Sequence, residues 1–199
     1  IWEGLDILYR AGHRDIGLGH TYVGLPQRTR RLRYEAFFSA CAEMQLSPRE
    51  EWIVDAGPRY KVDIRRVREL LEQPHRPTAI LCTHNHVAQA LYEVAALLEV
   101  RIPEELSVLL ISSHSDFGED YDPPLSALII PLVPYAERAV ALLLDMLRTH
   151  QTRSQGGMLI RPVRRLRDSI LPLPTTAGRE ANLPSGAQET VGSGSNNPS

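Results

Sequence analysis

Thr78-Ala79-Ile80-Leu81-Cys82-Thr83-His84-Asn85-His86-Val87-Ala88 passes from a continuous apolar run into residues that repeat at helical spacing as far as Glu99. A run this short and this uniformly apolar reads as a strand buried on both faces, which requires helices above and below a parallel sheet. The same alternation recurs on either side. Upstream, Asp15 to Gly19 is a brief apolar run bounded by glycine, and Thr29 to Leu46 carries Leu32, Ala36, Phe37, Ala40, Cys41 and Met44 at helical spacing. Glu51 to Asp55 then precedes a helical stretch over Lys61 to Gln73, and downstream Leu106 to Ser112 contains Val108-Leu109-Leu110-Ile111. Four parallel strands follow from this pattern, and the class is α/β: a doubly wound, mostly parallel sheet.

The two ends of the chain depart from the repeat. Trp2, Leu5, Leu8 and Tyr9 predict a short helix that Gly12 ends in a left-handed cap. After Asp122-Pro123-Pro124 come a short run from Leu125 to Ile130, a helix from Tyr135 to Arg148, a polar stretch and a strand from Met158 to Leu166. The helix is apolar around most of its circumference, so it needs partners on several sides. From Thr175 onward, Gly, Ser, Asn, Pro and Thr offer too little apolar surface to offset the entropy of ordering, and a disordered tail is expected. There is no internal repeat beyond the βα unit.

Composition narrows the function. The chain has 199 residues, 43% of them apolar, enough for one good core or two small ones. A formal charge of -2 lacks the basic excess that phosphate backbones attract, so the chain is not expected to bind DNA by itself. Cys41 and Cys82 are too few for a disulfide scaffold and fit a reducing cytoplasm. No apolar run reaches the roughly 18 to 20 residues of a membrane span, and no leader pattern opens the chain. The sequence starts at Ile1 inside an amphipathic segment and reads as a fragment.

Six short stretches, taken in order, resemble the effector-binding domain of the lactose/galactose-repressor family. Leu8-Tyr9-Arg10-Ala11-Gly12-His13-Arg14-Asp15-Ile16 is similar to L-x-x-x-G-H-x-x-I, and Arg33-Tyr34-Glu35-Ala36-Phe37 to R-x-x-G-F. Pro77 to Ala88 is similar to P-x-A-I-x-x-x-N-D-x-x-A, and Val100 to Val108 to G-x-x-I-P-x-D-I-S-V. Pro123-Pro124-Leu125-Ser126 resembles P-P-L-T, and Arg167-Asp168-Ser169 the closing R-x-S. The resemblance covers residues 1 to about 170.

That resemblance implies a fold of periplasmic-binding-protein-like type I, here essentially its C-terminal lobe. Residues 1–129 and 157–170 would form that lobe, 130–156 an excursion helix belonging to a mostly absent first lobe, and 171–199 the tail. It also implies a sensor of a repressor-type transcription regulator, not an enzyme, that binds a small-molecule effector between two lobes and needs no cofactor. Such proteins are cytoplasmic homodimers, with no membrane partner. Operator DNA would be reached only through an N-terminal domain that this chain lacks. Here the dimer contact would come from exposed apolar helices such as Ile64 to Leu71 or Asn85 to Leu98. An exported solute-binding protein shares the fold, but Gly12-His13, Ile102-Pro103 and Arg167-x-Ser169 are closer to the repressor pattern.

Four residues are candidates for the effector site: Arg33, Asn85, His86 and Ser112. Arg33 matches the family's effector-contacting arginine, and its fork of donors suits hydroxyls or a carboxylate. The alternative is that Arg28, Arg30, Arg31 and Arg33 form a solvated basic face. Asn85 either contacts a ligand or caps its helix. The family's aspartates after Asn85 and after the fourth strand are His86 and Ser112 here, so the acceptors that grip vicinal sugar hydroxyls are missing. With His84, Ser113 and His114 nearby, the rim is neutral to basic, and an acidic or phosphorylated effector is expected, or none. No zinc-ligand spacing accompanies these histidines. His84-Asn85-His86 at a strand-to-helix junction is the wrong context for a ββα-metal nuclease, and no nucleophile elbow, organised triad or phosphate loop occurs.

Overall fold

A computed structural model of the chain describes residues 1–21, 27–57, 61–112, 117–150 and 160–172. The elements run α1 (Trp2–Arg10), β1 (Ile16–Thr21), α2 (Gln27–Glu43), β2 (Ile53–Ala56), α3 (Ile64–Leu71), β3 (Ala79–Cys82), α4 (Asn85–Leu97), β4 (Ser107–Ser112), β5 (Ser126–Ile129), α5 (Leu132–Thr149) and β6 (Val163–Arg165). They build one six-stranded sheet in the order β2-β1-β3-β4-β5-β6. The first five strands are parallel, and β6 returns antiparallel to β5, with Ala127 opposite Arg165. The mixed, mostly parallel α/β class is as the sequence predicts, with the last strand shorter: only Val163–Arg165 of the expected Met158–Leu166 is paired among the described residues. Of the expected tail at 171–199, residues 173–199 lie outside the described residues, and Leu171 N–H donates to Ser107 Oγ at 3.1 Å.

Strand alternation explains the two-sided core. Ile80 and Cys82 of β3 point to one face, where Trp52, Val54, Val67, Leu70, Leu91, Val94, Val108 and Leu110 close a cluster under α3 and α4. Ala79 and Leu81 point to the other, packed with Leu5, Leu8, Leu18, Phe37, Leu109 and Leu128 under α1 and α2. Each fully buried large side chain contributes about 1.5–3 kcal/mol, so two such layers make the sheet the rigid part of the molecule. Gly19 sets the spacing on the α4 side: a Cβ there would lie 2.7 Å from Cγ1 of Val87 and 2.9 Å from Sγ of Cys82, so its absence lets the start of α4 sit directly on β1.

Helix ends follow the local chemistry. Gly12 has φ +98°, and the bonds Gly12 N–H to Tyr9 O (3.0 Å) and His13 N–H to Leu8 O (3.1 Å) close α1 in the left-handed cap read from the sequence. The same pair of bonds ends α4, through Glu99 N–H to Ala96 O and Val100 N–H to Ala95 O, although a non-glycine, Glu99, takes the φ of 56°.

The outer faces of α3 and α4 differ from the expectation of apolar dimer surfaces. On α3, Val67, Leu70 and Leu71 all point inward and the exposed side is mostly charged, Arg68 pairing with Glu72 at 2.8 Å. On α4 the exposed residues are His86, Gln89, Glu93, Ala96 and Leu97. The apolar excess sits elsewhere: α5 buries none of its residues and exposes Leu132, Val133, Val140, Leu143 and Leu147.

Candidate functional site

The order of the strands singles out one crevice. β1 leads through α2 to β2 on one side, β3 leads through α4 to β4 on the other, and α2 and α4 cover opposite faces. β1 and β3 are therefore the adjacent strands from which the connections diverge, and open α/β sheets hold ligands outside the C-terminal ends of such a pair.

The end of β1 and the segment after β3 are tied by buried polar groups. Thr83 donates its N–H to Gly19 O at 2.7 Å and its hydroxyl to the same oxygen at 3.2 Å. The Nδ1 of buried His20 lies 3.1 Å from the same Thr83 Oγ1. On the α1–α2 face His20 stands opposite Asp55 of β2, whose carboxylate, with Glu50, adds to burial in raising the Tyr34 pKa.

Arg33 of α2 reaches over this tie. It is half-buried, and its Nη1 donates to Thr83 O at 3.4 Å, a long bond. Burial lowers its pKa, but a guanidinium stays charged at any physiological pH, so the cation is partly desolvated beside the Thr83 carbonyl dipole. The other arginines of the run behave as a solvated face: Arg28 is exposed and Arg31 pairs with Glu35 at 3.1 Å, four residues on. The side chain of Arg30 lies outside the described residues.

The start of α4 forms the opposite wall. Its N-cap is His84, not Asn85: His84 takes the extended backbone (φ −150°, ψ 135°), and its Nδ1 accepts from the His86 N–H at 3.4 Å. An imidazole is a poor substitute for the short Ser, Thr, Asp and Asn side chains that cap well, and the length of the bond shows it. Asn85 is the first helical residue, half-buried, and His86 is exposed with its ring 5.2 Å from that of His84. The His84 pKa is lowered, by burial first, then by His86 and Arg33. Ser112 is buried at the end of β4, one strand over. The structure thus brings Arg33 to the Thr83 carbonyl beside His84, sets the His86 ring near that of His84 with Asn85 between them in the chain, and buries Ser112 one strand over; Ser113 and His114 lie outside the described residues. Among the described residues no group of three or more His, Cys, Asp or Glu is arranged to hold a metal ion.

Over residues 5–170 the sequence matches the periplasmic binding protein-like domain. The chain belongs to that family. Its relatives include the HTH-type transcriptional repressor PurR of Yersinia pestis, 32% identical over 69% of this chain and 40% of that one. The ribose operon repressor of Haemophilus influenzae is 26% identical over 83% of this chain and 49% of its own length. The chain therefore spans less than half of either. The crystal structure of a LacI family transcriptional regulator from Bifidobacterium animalis superposes with a TM-score of 0.72 at 23% identity, covering 86% of this chain and 61% of that one, which shows a shared fold.

Two features of this periplasmic binding protein-like domain escaped the sequence reading. His20 and Thr83 were missed as a site pair; the available signal was a histidine at the inward position of an Ile16-Leu18-His20 alternation, where burial demands a partner. The closing Arg167-Asp168-Ser169 does its work at the other end of the sheet. Ser169 Oγ donates to Val108 O at 2.6 Å and accepts from Ser126 N–H at 2.8 Å, bridging the starts of β4 and β5.

Proposed function

We propose that this chain is the effector-sensing part of a repressor-type transcription regulator, binding a small molecule outside the ends of β1 and β3. The observation that carries this reading is the Arg33 guanidinium, half out of water at the divergence of the sheet and, among the described residues, bonded to Thr83 O at 3.4 Å. A cation that is partly stripped of solvent and weakly paired is prepared for a polar guest, because the cost of removing water has been met in advance. The repressor names of two relatives support the regulatory part of the proposal.

In this reading, residues 1–129 and 157–170 are one lobe of a hinged pair, and 130–156 belong with the other. The unpacked apolar surface of α5 supports that division, since such a helix is stable only against a partner. Effector binding closes the lobes and changes how a cytoplasmic homodimer presents DNA-reading domains to its operator. No catalytic step is assigned.

Thermal-shift screening of the full-length protein, followed by operator binding measured by fluorescence anisotropy, tests this. A ligand that raises the melting temperature should also change operator affinity, and Arg33→Ala should abolish both responses. A ligand that stabilises Arg33→Ala as well as the parent places the site elsewhere.

A further inference from the structure

We propose that the crevice between the β5–β6 edge and the start of α5 is a second small-molecule site, which takes a compact amphipathic carboxylate: an apolar ring against Ile129, Leu132 and Val163, with the acid group on Arg165. Strand register builds the crevice. Ala127 stands opposite Arg165 and Ile129 opposite Val163, so the four side chains share one face of the sheet. That face is the one under α4, since Ala127 and Ile129 belong to its core layer. α4 itself packs over β1, β2, β3 and β4, and at the β5–β6 edge the wall is supplied by the start of α5. The space left there is about 320 Å³, lined on the strand side by Ile129, Val163 and Arg165 and on the helix side by Pro131, Leu132 and Val133. Arg33 comes from α2, on the other face, so this site and the sensing role proposed above are independent.

The lining selects the guest. It is apolar but for one cation, and that cation is the one the neighbouring pairs leave over. Arg164 pairs with Glu3 of α1 at 2.8 Å, and Arg167 pairs with Glu119 at 2.9 Å. Arg165, between them, pairs with no carboxylate among the described residues, and the crevice it lines contains none. A guanidinium offers a fork of donors that a carboxylate accepts two at a time. A neutral occupant would take water from Arg165 and return no acceptor, whereas a carboxylate replaces what is lost. Leu132, Val133 and Val163 are exposed and gain burial when a ring covers them. The volume lies at the lower end of those that hold small ligands, which suits one or two fused rings. Pro131 limits the backbone at the bend into α5, so the site is formed in advance. Ile129 ends β5 and Val163 begins β6, so a guest spans the points where the chain leaves the sheet and returns, and holds the start of α5 in one setting.

Titration of the full-length protein with 2-naphthoate and with its neutral amide, 2-naphthamide, followed through the methyl resonances of Ile, Leu and Val, tests this. 2-Naphthoate should move the methyl signals of Ile129, Leu132, Val133 and Val163 and bind at least about tenfold more tightly than the amide, the difference made by one charge-assisted pair. Arg165→Gln, at an exposed position, should erase that preference and leave both compounds binding weakly. Val163→Asp, which sets a carboxylate in the crevice, should abolish binding of 2-naphthoate. Equal affinity for acid and amide would overturn the proposal. So would methyl signals unmoved at the solubility limit, the result expected if another part of the protein already fills the crevice. Binding lost in Arg33→Ala and kept in Arg165→Gln would place the anion at the rim of β1 and β3 and overturn it as well. None of these outcomes bears on the sensing role, which is read through operator affinity and the Arg33-dependent thermal shift.

Discussion

The two ends of the sheet are built from the same kinds of polar residue and use them in opposite ways. Where the parallel strands begin, Ser169 is fully buried and bonded at 2.6 and 2.8 Å, and Ser126 Oγ donates to Arg167 O at 3.1 Å and accepts Arg167 N–H at 2.9 Å. Arg167 completes the clasp by donating to Leu125 O at 2.8 Å and pairing with Glu119 at 2.9 Å. Where the strands end, the bonds from Arg33 Nη1 to Thr83 O and from His86 N–H to His84 Nδ1 are each 3.4 Å long. Short, saturated hydrogen bonds hold a fold in one shape, and long ones leave room for a guest to compete.

Breaking the tight end should produce the largest effect. Ser169→Ala leaves Val108 O and Ser126 N–H without their partner in a dry interior, and urea unfolding should show a loss of about 2–4 kcal/mol. A loss under about 0.5 kcal/mol would remove the clasp from the account. His13 sharpens the comparison through pH. It is buried beneath α1 with Nδ1 2.9 Å from Thr78 Oγ1, and its pKa is lowered, chiefly by burial, with the Leu171 backbone opposing and Arg14 adding to the effect. The folded pKa then lies below the unfolded one, so the unfolded chain binds the extra proton. Stability is unaffected well above pH 6.5 and falls below it, by up to about 1.4 kcal/mol per pH unit until the folded form also protonates. Denaturation at pH 8, 6 and 5 should show that decline, and His13→Gln should flatten it.

Smaller effects test the remaining geometry. Glu99→Gly should gain about 0.5–1 kcal/mol in chemical denaturation, because it relieves a left-handed backbone at the end of α4 at the cost of a freer unfolded chain. Arg33→Ala, which abolishes the ligand response, should change stability by no more than about 0.5 kcal/mol, since its one long bond offsets little of its desolvation. A large destabilisation there would make Arg33 part of the clasping machinery and not of the site.

The fold was legible because its signals are local. Ala79 to Cys82 has no polar residue to mark an outer face, and Val67, Leu70 and Leu71 repeat at a helical period, so two-sided burial could be read directly. α5 was equally legible as a helix without enough partners. The site was legible only in its cationic parts. Arg33 stands out from Arg28 and Arg31 by half-burial, which depends on where α2 crosses the sheet. His84 rather than Asn85 caps α4 because the backbone turns helical one residue earlier than the residue preferences suggest. His20 meets Thr83 across 63 positions of sequence, a pairing fixed by strand order, which no local pattern encodes.

α2 and α4 lie on opposite faces of the sheet, yet Arg33 from one and His84 from the other meet at a single carbonyl. In the proposed sensing role, a guest bound there would touch both helical layers at once, as a rivet does. Its arrival would bear on both layers together, with no signal needing to cross the apolar interior.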